Sequence, residues 1–184
     1  MAFATIDVTK GITGTIPVAN GGTGLASGTA DQFLKFTGTT TLASSTLGAT
    51  GKVLQVVQVE DQTELSLSSN SYTDMGLSAS ITPSATSSKV LAFWSVHSRF
   101  RVSTAGYGAR LVRGSTNVWT STRDYYVYDD FDDNRRLTTF TYLDSPSTTS
   151  ATTYKIQVAT NGSVQVDFNG NENQSNMTLM EIAG

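Results

Sequence analysis

The segment from Arg123 to Arg136 has an unusual density of side chains that could recognise a ligand. It holds three tyrosines and five aspartates within fourteen residues. Aromatic rings cover the apolar faces of sugars, while carboxylates accept hydrogen bonds from sugar hydroxyls. We therefore predict a contact with a partner or receptor, such as a host surface glycan. The residues assigned to this contact are Tyr125, Tyr126, Tyr128, Asp129, Asp130, Asp132 and Asp133.

Two other interpretations of the same segment stay open. The oxygens of its aspartates and of Asn134 could bind Ca²⁺, although their spacing lacks the alternation and the glycine of a known calcium loop. Alternatively, the segment is a solvated loop in which Tyr126 and Tyr128 pack inward and Arg135 and Arg136 balance the acids. We assign no metal site to the chain.

Catalytic chemistry finds few candidates in this sequence. His97 is the only histidine, and no nucleophile-elbow motif accompanies it, so a Ser-His-Asp triad has no support. Nothing separates a pair of glycosidase carboxylates from ordinary surface acids. We expect a structural or interface role for His97, no enzyme activity and no cofactor.

Composition excludes several classes of protein. The net charge of −3 argues against a nucleic-acid partner. Cysteine is absent, which excludes disulfides and zinc–thiolate sites. No apolar run approaches the ~20 residues of a membrane helix, and residues 1–7 lack the basic and apolar parts of a signal peptide. We therefore expect synthesis in a host cytoplasm without a signal peptide, and no membrane insertion.

Residues 1–51 differ in composition from the rest of the chain. They contain nine of the sixteen glycines, and Asp7, Lys10, Asp31 and Lys35 are their only charged residues. So little apolar side chain cannot offset the entropy of ordering the backbone. This region is predicted to be an extended Gly/Thr-rich attachment arm that becomes ordered against a partner.

The arm contains one distinctive stretch, from Gly14 to Gly24. A short apolar piece is followed by Asn-Gly-Gly-Thr-Gly, which permits left-handed backbone conformations and predicts a tight turn. The run Ile16-Pro17-Val18-Ala19-Asn20-Gly21-Gly22-Thr23-Gly24 resembles a segment that recurs in bacteriophage tail-fibre and other virion surface proteins. A looser likeness to these proteins extends through Leu34–Thr40 and into the C-terminal part, at Ser88–Leu91, Arg110–Ser115 and Met177–Ala183.

The resemblance implies several properties of the chain. It implies an anchor to another virion protein, formed by the arm residues Ile16, Pro17, Val18, Asn20, Gly21, Gly22 and Gly24. It also implies a C-terminal β domain that associates as a homotrimer.

From residue 52 onward, apolar residues recur with period two and predict strands. The predicted strands are Val53–Val59, Leu65–Leu67, Leu77–Ile81, Lys89–Val102, Tyr107–Arg113, Val118–Thr122, Leu137–Leu143, Thr153–Ala159, Val164–Phe168 and Met177–Ile182. Asn161-Gly162, between two such runs, predicts a hairpin. The pattern indicates an all-β protein whose residues 52–184 form a jelly-roll-like β-sandwich.

The strand from Lys89 to Val102 is apolar on both sides at its start. One side carries Val90, Ala92, Trp94, Val96, Phe100 and Val102. Leu91 and Phe93 lie on the other side, and together with Trp119 they exceed what a single half-solvated sheet buries. Contacts between subunits would cover them.

The resemblance implies a structural protein of a bacteriophage virion. In this interpretation it is a short trimeric fibre-like surface protein, anchored by its arm, whose β domain attaches to the host surface. One alternative is a capsid decoration or cement protein, or a head fibre, that stabilises the shell. A second alternative is a free carbohydrate-binding module.

Overall fold

A computed structural model describes residues 32–39, 41–45, 51–102, 104–121, 127–129, 133–162 and 164–184. The chain divides into two units, residues 1–49 and residues 50–184. In the described ranges, no helix has the length and apolarity needed to cross a membrane.

The described residues of the N-terminal unit form an antiparallel hairpin. Strand β1 (Phe33–Phe36) pairs with β2 (Leu42–Ser45), and the amide of Thr37 closes the turn by donating to the carbonyl of Thr41 at 3.0 Å. The side chains of Phe33, Leu34 and Phe36 are exposed.

The second unit is built from eleven described strands. They are β3 (Val53–Asp61), β4 (Leu65–Leu67), β5 (Thr73–Ile81), β6 (Lys89–Phe100), β7 (Ala105–Arg113), β8 (Thr116–Thr120), β9 (Val127–Asp129), β10 (Asn134–Asp144), β11 (Thr152–Thr160), β12 (Val166–Phe168) and β13 (Ser175–Ile182).

These strands form two sheets with jelly-roll topology. In the first sheet the main order is β3-β13-β6-β10, and β12 and β4 extend it beside the end of β6. In the second sheet the order is β5-β11-β7-β8, and β9 pairs with the start of β7. All described pairings in these sheets are antiparallel, and successive long strands alternate between the sheets. The prediction of an all-β, jelly-roll-like sandwich is confirmed.

The interior lies between the two sheets and is rich in aromatic side chains. Trp94 stacks on Phe140 of the same sheet with ring centroids 5.5 Å apart. Trp119 from the second sheet meets Trp94 edge-on at 5.2 Å. At the other end, Tyr107 contacts both Phe100 and Phe168. Such pairs add stabilisation beyond the area they bury, so these contacts close the sandwich at both ends.

Strand β6 is the central element of the first sheet. Val90, Ala92, Trp94, Val96 and Phe100 all point into the interior, as predicted. The prediction was wrong for Val102, which lies beyond the end of the strand and is exposed.

The prediction that Trp119 is left over from the core and covered by another subunit was also wrong. Its ring packs against the core, in contact with Trp94 and Phe140. The bulge between Leu111 and Val112 in the pairing of β7 with β8 changes the alternation that the sequence suggested.

The hairpin predicted at Asn161-Gly162 is not formed. Strand β11 before this turn belongs to the second sheet, whereas β12 after it pairs with β6 and β4 in the first. The turn itself is present, since Gly162 has a φ of 89° and the Asn161 side chain donates to the carbonyl of Thr104 at 2.8 Å. Asn-Gly favours a reversal of the chain, but the burial of Val166 and Phe168 against β6 decides the pairing.

The two sides of β10 allow a matched test of this architecture. Phe140 points inward and is 8% exposed, whereas Leu137 points outward and is 62% exposed. Because Phe140 contacts both tryptophans, we expect Phe140→Ala to lower the free energy of unfolding by about 3 to 5 kcal/mol. Leu137→Ala should change it by no more than about 0.5 kcal/mol. Urea unfolding of both variants measures these values, and equal losses would contradict the assigned sides of β10.

Candidate interaction surface

The outer side of the first sheet carries an apolar row that crosses four strands. Met180 on β13 pairs with Val56 on β3 and with Leu91 on β6. Leu91 pairs in turn with Leu143 on β10. Paired residues on adjacent strands point to the same side, and strands lie about 4.8 Å apart. The four side chains therefore form one continuous row.

Further apolar side chains flank this row on the same side of the sheet. We call the whole set the outer apolar face, and it comprises Val53, Val56, Leu91, Phe93, Leu143, Met180 and Ile182. Val56 is 56% exposed and Leu143 is 46% exposed. A single exposed apolar residue is normal on a protein surface, but a contiguous patch marks a surface that binds something.

Strand β3 adds an open edge to this face. Eight of its nine residues pair with β13 on one side, and in the described part of the chain no strand pairs with the other side. From Val53 to Val59 the strand is rich in valine and contains no charged residue or proline, and its two carboxylates, Glu60 and Asp61, lie at its C-terminal end. The edge can therefore accept another strand.

A buried carboxylate fixes the sheet beside the outer apolar face. Glu181 is fully buried on β13, and it accepts hydrogen bonds from the amide and the hydroxyl of Ser84 at 2.7 and 2.6 Å. The side-chain amide of Gln55 donates to its other oxygen at 2.9 Å. Burial raises the pKa of Glu181, but these hydrogen bonds outweigh burial and lower the pKa to about 2. The ionised carboxylate thus ties the β5–β6 connection to strands β3 and β13.

The far end of the same outer side is polar. His97 is half-buried, and its pKa is lowered by burial and by the nearby charge of Arg135. Arg99 forms an ion pair with Asp133 at the start of β10. The hydrogen bond from Arg99 lowers the pKa of Asp133. The outer side therefore changes from apolar to polar and charged along the length of β6.

The predicted contact segment is only partly described. Asp133 is exposed, has a φ of 56°, and pairs with Arg99. Tyr128 and Asp129 belong to strand β9, whose backbone pairs with β7. Tyr125, Tyr126, Asp130 and Asp132 lie outside the described residues, as do the side chains of Tyr128 and Asp129.

The predicted anchoring residues also lie outside the described ranges. They are Ile16, Pro17, Val18, Asn20, Gly21, Gly22 and Gly24. Their role in attachment stays a prediction.

The surroundings of His97 are set by backbone hydrogen bonds. Its amide donates to the hydroxyl oxygen of Ser175 at 2.9 Å, and that hydroxyl donates to the side-chain oxygen of Asn169. Ser175 is therefore bonded to the backbone of His97. Within the described ranges, no group of three or more His, Asp or Glu side chains is placed to hold a metal ion.

Sequence reasoning identified Leu91 and Phe93 but missed their neighbours. Val56, Leu143 and Met180 join them only through the pairing of strands distant in sequence. A partial signal existed in β13, where Met180 and Ile182 alternate with the inward residues Leu179 and Glu181. An apolar residue at an outward position of a strand would have suggested a second buried side.

The fold and this surface define a class: a jelly-roll β-sandwich with an uncovered apolar outer face. No protein-family model matches the chain, and no curated protein matches it. Among solved structures, the Gx strain of infectious bursal disease virus is 17% identical, with a TM-score of 0.48 over 82% of this chain and 36% of that chain.

Two further solved structures are similar to the chain. The T13 particle of infectious bursal disease virus is 13% identical, with a TM-score of 0.43 over 82% of this chain and 39% of that chain. Dimeric latent PorU from Porphyromonas gingivalis is 10% identical, with a TM-score of 0.35 over 73% of this chain and 14% of that chain. The chain spans less than two fifths of the length of each of these structures, and the likeness concerns the fold.

The buried carboxylate gives a pH-dependent prediction. The pKa of about 2 in the folded protein lies below the ordinary value of 4.5, so ionised Glu181 stabilises the fold above pH 4.5. This contribution is lost as the pH falls towards 2. Glu181→Gln should lower the free energy of unfolding at pH 7 by about 1 to 3 kcal/mol, and its deficit relative to the wild type should shrink between pH 4.5 and 2.

Chemical unfolding across this pH range measures the deficit. Glu60→Gln, at an exposed position of β3, is the matched control and should show little deficit at any pH. A deficit for Glu181→Gln that stayed constant with pH would contradict the role assigned to the carboxylate.

Proposed function

We propose that the chain is a structural subunit of a virus particle that acts by assembling with copies of itself. The observation that carries this proposal is the outer apolar face. The interior of the sandwich is already filled by side chains from both sheets. Among the residues of this unit that the structure describes, no further layer covers the seven residues of the outer apolar face. A surface of this kind is typical of subunits that associate.

A second copy is the occupant that fits this face best. The apolar row runs up to β3, whose open edge offers backbone hydrogen bonds beside it. A neighbouring copy presents the same apolar row, so copies arranged around a shared axis can cover these rows against one another. We propose a homotrimer, the state that the resemblance to phage surface proteins implies.

The N-terminal region supplies the second part of the proposal. Residues 1–49 form a unit separate from the sandwich, and they contain the Asn20-Gly21-Gly22-Thr23-Gly24 segment that resembles phage fibre proteins. We propose that this region anchors the subunit to another virion protein. The sandwich then projects from the particle, with the segment from Tyr125 to Asp133 as a contact for the host surface.

Two locations in the virion are compatible with this function. A short tail fibre would place few copies on each particle, whereas a capsid decoration protein or head fibre would be present in numbers comparable with the shell protein. Quantitative mass spectrometry of purified particles separates these locations. Absence of the chain from purified particles would contradict both.

Charged substitutions on the outer apolar face test the assembly. We expect the double substitution Val56→Glu and Leu143→Glu to dissociate the wild-type oligomer into monomers, because carboxylates would be buried without partners at the contact. Sedimentation velocity of the full chain measures the change. Leu137→Glu is the matched control, since Leu137 is exposed on the outer side of the same strand but lies outside the apolar row; it should leave the oligomer intact.

Two results would overturn the proposal. A wild-type chain that sediments as a monomer at every concentration would exclude self-assembly through this face. Dissociation by Leu137→Glu to the same extent as by the double substitution would show that the apolar row has no special role.

A further inference from the structure

The outer side of the second sheet carries a polar depression of about 230 Å³ next to the β7–β8 hairpin. Its lining is formed by Arg110, Val112, Gly114, Ser115, Asn117, Lys155 and Gln157. Two rows of paired residues build it. Gln157 on β11 pairs with Arg110 on β7 and with Asp74 on β5, and Lys155 pairs with Val112 next to this row.

The depression has more positive than negative side chains. Arg110 and Lys155 are two cations, and Asp74 is the acid that faces them. The ammonium of Lys155 donates to the half-exposed carboxylate of Asp74 at 2.9 Å. An ammonium has three donors, so this contact uses only one of them. The depression therefore carries an excess of one positive charge in a chain whose net charge is −3. A local charge of this sign favours an anionic ligand.

Arg110 is held in a fixed orientation. Its Nε donates to the side-chain oxygen of Gln157 at 2.7 Å, and its guanidinium lies 4.3 Å from the centre of the Tyr72 ring. In the described part of the chain, its two terminal nitrogens have no hydrogen-bond partner. A planar guanidinium with both terminal nitrogens available matches the two oxygens of a carboxylate.

The remaining lining suits a sugar ring better than a bare anion. Ser115 and Asn117 supply a hydroxyl and an amide that can bond to sugar hydroxyls. Val112 is the apolar residue of the lining. The volume lies below the range of about 300 to 1,000 Å³ for drug-sized ligands, which limits the occupant to about one sugar unit.

We propose that this depression binds the carboxylate-bearing sugar of an acidic surface polysaccharide. The carboxylate lies between Arg110 and Lys155, and the ring hydroxyls face the β7–β8 hairpin. The site is distinct from the Tyr125–Asp133 segment that the sequence suggested. This inference specifies the host-attachment role proposed above.

Glucuronic acid and glucose are suitable probes, because they differ only in the carboxylate at C6. Titration of the full chain, followed by NMR chemical shifts, should show glucuronate binding at least tenfold more tightly than glucose and than inorganic phosphate. The affinity for glucuronate should fall as salt is added. Shifts should concentrate on the amides of residues 110, 115, 117, 155 and 157.

Substitutions locate the binding site. Arg110→Met and Lys155→Met should each weaken glucuronate binding at least tenfold, and Arg110→Lys should weaken it less than Arg110→Met. Lys89→Met, at an exposed cation on the other sheet, is the control and should leave the affinity unchanged. The NMR spectrum of each variant reports whether it is folded.

Three outcomes would overturn the proposal: equal affinity for glucose and glucuronate, equal affinity for phosphate and glucuronate, or full binding in both methionine variants. These outcomes are independent of the assembly. A chain that oligomerises but ignores glucuronate would remove this site alone, whereas a monomer that binds glucuronate would keep the site and remove the virion role.

Discussion

Strand β6 is apolar on both sides at its N-terminal end, whereas a two-layer sandwich can bury only one side of each sheet. The inward residues, from Val90 to Phe100, meet the second sheet and complete the interior. Leu91 and Phe93 point the other way, and Val56, Met180 and Leu143 on the neighbouring strands extend them into a row. The first sheet thus has an apolar inner side, which packs on the second sheet, and an apolar outer row, which the described fold leaves uncovered. The proposed self-assembly depends on this uncovered apolar row.

Buried acids connect the strands and loops of the sandwich. Glu181 ties the β5–β6 connection to the strands of the outer apolar face. Asp144, at the end of β10, accepts hydrogen bonds from Arg113 and from the hydroxyl of buried Tyr154. Asp167 on β12 accepts from Ser66 and Gln165 and pairs with Arg101. Each carboxylate has several donors, the condition under which a buried charge fixes a structure without a large penalty.

Local sequence patterns predicted the strands but not their partners. Every strand from β3 to β13 except β9 overlaps a predicted one, because the period-2 alternation follows the burial on the two sides of a sheet. Alternation cannot indicate which strands pair, so Asn161-Gly162 suggested a hairpin where the chain crosses between sheets. Trp119 was misjudged for a similar reason, since its contact with Trp94 crosses the sandwich.

The candidate surfaces were even harder to predict, because they depend on which strands pair. Leu91 and Phe93 could be singled out within one strand, whereas the row they belong to exists only through the register of β3, β13, β6 and β10. Arg110 and Lys155 are 45 positions apart and meet because β11 pairs with β7. The density of charged and aromatic residues instead predicted a contact in the segment from Tyr125 to Asp133, whose side chains lie mostly outside the described residues.

In the proposed assembly, copies of this chain cover the outer apolar face of one another. Carbene footprinting of the wild-type full chain tests it most directly, because the label reacts with any accessible side chain and can be applied at high and at low protein concentration. We expect Val56 and Leu143 to be protected at high concentration and to become labelled on dilution, while exposed Leu137 is labelled at both concentrations. Equal labelling of Val56 and Leu143 at both concentrations, at the level of Leu137, would contradict it.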